Sequence, residues 1–316
     1  MNHCLSFSFV ERSFSRLYLY FRIDFGQRFE ILIIGVYVND MRVLVAEKCG
    51  FCHGVRNAIS VAEKILEEEK DVYSFGPIIH NKDVVERLAK SGLKTVSKVE
   101  EIRSGTVLIR SHGAAPGQIA RLEKKGLKIV DATCVLVKRV QHIAHELEEQ
   151  GYQVVIIGEE NHPEVQAVVG CARNVIVITD ESDLHRLPNN AKLGVVCQTT
   201  QNPEHFGKML GAMGQGSFSE LKVINTLCKE AIKRQESAIR LCRQVDIMFV
   251  LGGLESANTR RLAELCAKVN KQTFHLQNWS ELDPDILRGK ETAGVTAGAS
   301  TPDWIISEFV QNLGAF

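Results

Sequence analysis

The sequence has no surplus of charge of either sign: Lys plus Arg and Asp plus Glu each number 38 in 316 residues. That balance excludes a net field drawing the protein to nucleic acid or to an anionic membrane, so a polyanionic ligand has to be held by local groups. Long apolar runs are also missing. The stretch ILIIGVYV at 31–38 falls far short of the roughly 20 residues of a membrane span, and no small-residue cleavage pattern follows it. Residues 1–40 contain no Lys and no Ala, yet hold nine of the chain's 21 aromatic residues. The composition changes at Met41, where translation is expected to begin, the leader being disordered or a spurious start. Glu11, Asp24, Glu30 and Asp40 count against an organelle transit peptide. With no secretory signal and nine scattered cysteines, an odd number, disulfides are not expected. Reduced thiols and a cytoplasmic setting follow, in which clustered cysteines serve metal binding or catalysis.

What is present is a soluble chain, 45% hydrophobic and 24% charged, large enough for two or three domains. Past Met41 it repeats one coarse pattern. RVLVAEKCGFC (42–52), LKIVDATC (127–134) and LKVINTLC (221–228) are each a short apolar strand running into a cysteine, and each is followed by a helical period. Cys52, Cys134 and Cys228 therefore stand at three strand-to-helix junctions, 82 and 94 residues apart. Each third then supplies two more apolar strands ending in small or polar residues. Strands alternating with helices predict parallel α/β structure, with ligands beyond the carboxyl ends of the strands. The expected architecture is three similar small α/β lobes with mostly parallel sheets in a pseudo-threefold trefoil, the three cysteines at its hub. Its boundaries are 1–40 for the leader, then 41–134, 135–224 and 225–316. One long doubly wound sheet, in which the cysteines never meet, satisfies the same periodicity.

A thiol at a helix N-terminus is expected to ionise more readily, which favours the metal-binding form. Three such thiolates suit a soft metal centre. Zinc closed by a histidine would make a structural Cys3His site in a non-reductive phosphate-binding protein. A 4Fe-4S cluster on three cysteines would instead leave one iron open to substrate. A third possibility is a redox dithiol formed by Cys49 and Cys52. The other strand ends carry His80, His112 and His162, with Ser256, Asn258 and Ser300 from the last third. Imidazoles, hydroxyls and helix-start N–H groups meeting in one cavity would bind phosphate or diphosphate without a basic surface. Glu164, two residues past His162, could deliver protons if burial raised its pKa. Thr199 and Thr200 could orient a substrate hydroxyl or cap the next helix. Cys171, Cys197, Cys242 and Cys266 fit small buried hydrophobes, Cys4 belongs to the leader, and His142 and His145 fit a solvated helix face.

GFCHGV, GPIIHN, RSHG, DATC, NHPEV, QTT, NTLC, SANTRRL and GAST, in this order from Met41 to about residue 312, resemble the 4-hydroxy-3-methylbut-2-enyl diphosphate reductase family, also called LytB or IspH. The resemblance implies the trefoil, with Cys52, Cys134 and Cys228 on a 4Fe-4S cluster and Cys49 incidental. It implies that His80, His112, His162, Ser256, Asn258 and Ser300 grip a diphosphate, while Glu164 and Thr199, with His162, act near the substrate hydroxyl. The implied reaction is reductive dehydroxylation of the allylic diphosphate to isopentenyl and dimethylallyl diphosphate, the last step of the methylerythritol phosphate pathway. Reduced ferredoxin or flavodoxin is the implied electron donor, and neither nucleic acid nor membrane is a partner. The sequence departs from the family pattern at Val135, where proline is usual, at Ala167 for glycine, at Ala231 for threonine and at Ala257 for serine. Each lost hydroxyl removes a hydrogen bond of about 0.5–1.5 kcal/mol.

Overall fold

The computed structural model describes residues 41–315 and, of the first forty, the backbone of four short strands. The reading of the leader otherwise lies outside the described residues. Three sheets are built to one plan. In the first, the strands run in the order 94–96, 72–75, 106–109, 128–131, all parallel. The second repeats it with 175–178, 153–157, 191–197 and 218–223. The third is 273–276, 247–251, 292–297 and 41–45, with Val36–Val38 added antiparallel at the edge. In each sheet the fourth strand is the one that leads to a cysteine. Strand Met41–Val45, which the sequence groups with the first lobe, thus completes the sheet of the third.

The chain divides into two compact units, one of Cys52–Ile232 with the first two sheets, the other of the segment up to Phe51 with Lys233–Phe316 and the third sheet. Nine helices connect the strands among the described residues: α1 (His53–Glu68), α2 (Lys82–Lys90), α3 (Pro116–Lys124), α4 (Val135–Glu149), α5 (Pro163–Val169), α6 (Pro203–Met213), α7 (Lys229–Cys242), α8 (Ala257–Val269) and α9 (Asp303–Leu313). None is long and apolar enough to cross a membrane.

The local reasons are ordinary ones. In α1 the buried positions are Val55, Ala58, Ile59, Ala62 and Ile65, a three-four spacing that lays one stripe on the sheet. Strand Ile247–Leu251 is buried at every position, as expected of a parallel strand covered on both faces. Phe249 lies at the centre of the third core, its ring 5.1 Å from Phe309 and 6.1 Å from Phe274. Truncation to Phe249→Ala is expected to cost about 3–5 kcal/mol in urea unfolding; a loss below about 1 kcal/mol would contradict this packing.

Candidate active site

Each cysteine stands where a strand has delivered it to a helix start. Cys52 is the N-cap of α1, its sulfur accepting from the Val55 N–H at 3.5 Å. Cys134 is the N-cap of α4, and Cys228 immediately precedes α7. All three belong to the unit Cys52–Ile232. A Cβ on Gly54 would stand 2.9 Å from the Cys134 sulfur and 3.9 Å from that of Cys52, so the separation of the two sulfurs cannot exceed the sum of those lengths. The three lie close together: Cys52 and Cys228 both disfavour ionisation of the Cys134 thiol, and Cys52 that of Cys228. Three soft donors converging over a glycine that leaves room beside them fit the ligand set of a three-cysteine cluster. The expected ease of ionisation is reversed for two of them: burial pushes the thiols of Cys134 and Cys228 up, and the helix-start N–H groups offset it only in part.

The remaining thiols are structural. Cys49 packs against the third core, and burial pushes it up to about 12, the opposite of an activated redox thiol. Cys197, Cys242 and Cys266 are buried; half-buried Cys171 bonds to the Ala167 carbonyl. His142 and His145 face Glu146 and Glu149 on the exposed side of α4.

The histidines come from three strand-end loops and meet. His80 precedes Asn81, the N-cap of α2; His112 follows strand 106–109; His162 is the N-cap of α5. Ring centroids are 4.9 Å apart for His80 and His112, 5.5 Å for His112 and His162, and 6.3 Å for His80 and His162. One ring nitrogen from each lies within 4.8 Å of the others, a spacing suited to the oxygens of an anion or to one cation. Gly113, at φ +78°, turns the chain directly after His112, where a Cβ would press on Thr133 and Gln141. The Ser111 hydroxyl donates to the Ile78 carbonyl at 3.4 Å, tying the His80 and His112 loops together.

His112 is held neutral. Burial, with the neighbouring His80, His162 and Arg110, keeps His112 well below its ordinary value of 6.5, and its buried Nδ1 has no hydrogen-bond partner among the described residues. His162 Nδ1 accepts from the Glu164 N–H at 3.2 Å, which leaves its proton on Nε2.

Glu164 is buried in the first turn of α5. Its carboxylate accepts from the Thr199 N–H at 2.6 Å and from the Thr199 hydroxyl at 2.8 Å. Burial raises its pKa above 4.5, and the two Thr199 bonds oppose the rise. Thr199 is no helix cap: Asn202 caps α6, accepting from the Glu204 N–H at 2.7 Å. The Thr199 carbonyl instead accepts from the Cys228 N–H at 2.7 Å, and the Ser111 carbonyl takes the Cys134 N–H at 3.0 Å.

Ser256, Asn258 and Ser300 belong to the other unit. Ser256 caps α8, its oxygen accepting from the N–H and the hydroxyl of Thr259 at 3.3 and 3.0 Å. Asn258, in the first turn, has a buried amide nitrogen with no partner among the described residues, as a ligand-binding amide would. Ser300 is buried in the turn before α9.

Sequence reasoning missed Gln141. Two turns into α4 from Cys134, its amide donates to the Ala114 carbonyl at 3.1 Å and to the Ala167 carbonyl at 3.3 Å, joining the loop behind His112 to the helix that carries Glu164. A glutamine on the half-buried side of an otherwise apolar stripe is the only sequence signal of it. Gln141→Leu removes the Gln141 donor from the Ala114 carbonyl and leaves the Ala167 carbonyl to the Cys171 thiol alone, and is expected to cost about 1–3 kcal/mol in urea unfolding; a change below about 0.5 kcal/mol would show that these bonds do not hold the two segments together.

Comparison with known proteins agrees with this geometry. The family model described as LytB protein matches residues 43–314. The 4-hydroxy-3-methylbut-2-enyl diphosphate reductase of Pelobacter propionicus is 44% identical over 275 residues, covering 87% of this chain and 98% of that protein. The reductase of Aquifex aeolicus is 43% identical over 272 residues, 84% of this chain and 93% of the other. A solved (E)-4-hydroxy-3-methyl-but-2-enyl diphosphate reductase, described as the terminal enzyme of the non-mevalonate pathway, aligns at 42% identity and TM-score 0.66, covering 87% of this chain and 99% of its own. The Plasmodium falciparum E-1-hydroxy-2-methyl-but-2-enyl-4-diphosphate reductase structure aligns at TM-score 0.81 and 26% identity, over 86% and 87% of the two chains. The match from residue 43 takes in all nine helices and the parallel strands of the three sheets from Val43 onward, and the chain belongs to the LytB family.

Proposed function

We propose that this protein reduces 4-hydroxy-3-methylbut-2-enyl diphosphate to isopentenyl and dimethylallyl diphosphate, the last step of the methylerythritol phosphate route, with reduced ferredoxin or flavodoxin as electron donor and the cytoplasm as its setting. The observation that carries the reading is the Glu164–Thr199–Cys228 chain of hydrogen bonds, which fixes a buried carboxyl, a hydroxyl and a cysteine of the sulfur site in one frame. Two electrons and two protons convert the allylic alcohol to the product hydrocarbon and water. A 4Fe-4S cluster on Cys52, Cys134 and Cys228 would supply the electrons singly and offer one iron as a Lewis acid for the leaving oxygen.

The chain's own residues bind, orient and protonate. His80, His112 and His162 hold the diphosphate through N–H donors, and Ser256, Asn258 and Ser300 are donors that the family resemblance assigns to the same substrate. Neutral imidazoles suit this task, because each offers a hydrogen bond at modest desolvation cost. The Thr199 hydroxyl orients the substrate hydroxyl and links it to Glu164. Hydroxide leaves poorly, and a carboxyl that retains its proton because it is buried can release the oxygen as water. Proton delivery at either end of the allylic skeleton accounts for the two products.

Anaerobically purified protein beginning at Met41 is expected to be brown and to turn over the allylic diphosphate with a chemical reductant. A colourless preparation holding one zinc and inert with substrate would favour the structural-zinc alternative. Cys228→Ser should lose cluster iron and turnover together, whereas Cys49→Ser should be nearly silent; full activity in Cys228→Ser would remove that ligand.

The pH dependence follows from Glu164. A proton donor whose pKa is raised is active below that pKa and loses its proton above it, so kcat should fall as pH climbs through a point above the ordinary carboxyl value of 4.5. Glu164→Gln should lower kcat by about 10²–10⁴-fold, change KM little and abolish that limb of the profile. An unchanged kcat would end its role in proton delivery.

A further inference from the structure

The strand 106–109 is buried throughout and aliphatic after Thr106, and the next residue is an arginine. The Arg110 side chain folds over Gly76, the turn residue that leads into the His80 loop. A Cβ on Gly76 would fall 2.6 Å from Nη1, 2.9 Å from Cζ and 3.2 Å from Nε, so glycine is required there for the guanidinium to lie where it does. The buried Nε of Arg110 has no hydrogen-bond partner, and Arg110 enters no ion pair among the described residues. A buried guanidinium costs free energy unless a carboxylate, phosphate or comparable anion meets it. No carboxylate pairs with Arg110 among the described residues. The surroundings offer instead two more cationic-capable rings and a His112 Nδ1 that is likewise buried and unpartnered.

Since this rests on the diphosphate reading of the histidine cluster, we propose that Arg110 is a fourth member of that anion site, supplying a fixed positive charge beside the three imidazoles. The ligand class is a phosphate or diphosphate ester. Burial makes the charge of Arg110 expensive, and the same charge helps to keep His112 neutral, so the two groups divide the work: one holds charge, the others give directed N–H donors. The alternative role for Arg110 is a spacer that props the Gly76 turn by its bulk.

Affinity for inorganic pyrophosphate, measured by calorimetry on the anaerobic holoprotein, separates the two, together with KM for the allylic diphosphate. Arg110→Met keeps length and bulk but removes charge. It is expected to weaken pyrophosphate and raise KM by at least about tenfold, with cluster content unchanged and a thermal midpoint equal to or above that of the wild type, because an unpaired buried charge has been removed. Arg110→Gln should weaken binding similarly, and Arg110→Lys should recover part of it. A spacer predicts the reverse: Arg110→Met binds pyrophosphate as the wild type does. Wild-type affinity in either neutral variant overturns the assignment, as does a wild-type protein that binds no pyrophosphate. Pyrophosphate binding that depends on Arg110, in a protein that does not reduce the allylic diphosphate, would overturn the reductase reading while the Arg110 assignment stands.

Discussion

The N–H of Cys228 donates to the carbonyl of Thr199 at 2.7 Å, and the N–H of Cys134 donates to the carbonyl of Ser111 at 3.0 Å. These two bonds occupy the same place in the repeated plan. In the first two lobes the third strand in chain order, 106–109 or 191–197, ends in a polar loop, and the fourth, 128–131 or 218–223, lies beside it and runs into a cysteine three or five residues beyond its end. The ladder that pairs the strands therefore also sets the height of the cysteine against the loop. Because a one-residue slip in a strand turns every side chain to the opposite face, the register cannot drift without exposing the core. Sulfur and site loop are thereby locked to each other by the burial of residues remote from both. In the second lobe the lock is doubled: the Thr226 hydroxyl accepts from the Cys197 N–H at 2.8 Å and donates to the Cys197 carbonyl at 2.6 Å, directly before QTT and NTLC part.

The site handles charge without bulk basicity. A protein with equal numbers of acids and bases has no field to gather a diphosphate, so recognition must come from short-range donors placed in a pocket of low dielectric. Burial acts on the two functions in opposite directions and serves both. It keeps His112 well below its ordinary value, as a neutral donor requires, and raises Glu164, as the proposed proton donor requires. The Thr199 bonds limit the second effect. A carboxyl with no such donors would be too weak an acid to yield its proton, and one with more would ionise early.

Much of this was legible in the sequence, for identifiable reasons. Apolar strands of three to seven residues alternating with helices of three-four period predict parallel α/β lobes, and polar side chains at strand ends predict convergence, as the meeting of His80, His112 and His162 shows. The strand exchange was not legible. Met41–Val45 has the same pattern as Lys128–Asp131, and nothing in five residues says which sheet a strand will join; only the pairing with Thr292–Ala297 decides it. The ionisation of the cysteines was misjudged for a related reason. Position at a helix start is visible in a sequence, but the desolvation that outweighs it depends on what packs around the sulfur. Gln141 and Arg110 escaped because each is an ordinary polar residue whose meaning lies in partners, present for one and missing for the other, more than twenty residues away.

The departures from the usual family pattern fall where these bonds do not. Val135 replaces a proline and is 75% exposed. The backbone donors that favour the Cys134 thiolate come from Leu136 and Val137, one and two residues further on, so a side chain at 135 neither adds nor removes one. Ala231 gives up a hydroxyl but keeps the N–H that does the same for Cys228. Ala167 adds a methyl group where glycine is usual; its carbonyl still receives the Gln141 amide, and its Cβ sits 3.6 Å from where a Gly113 Cβ would be, an ordinary contact. Ala257 loses a hydroxyl beside Ser256, whose own oxygen goes on capping α8. Main-chain groups carry the frame, and main-chain groups survive substitution. A family whose site is assembled by strand register and helix starts can therefore tolerate side-chain drift immediately beside its ligands.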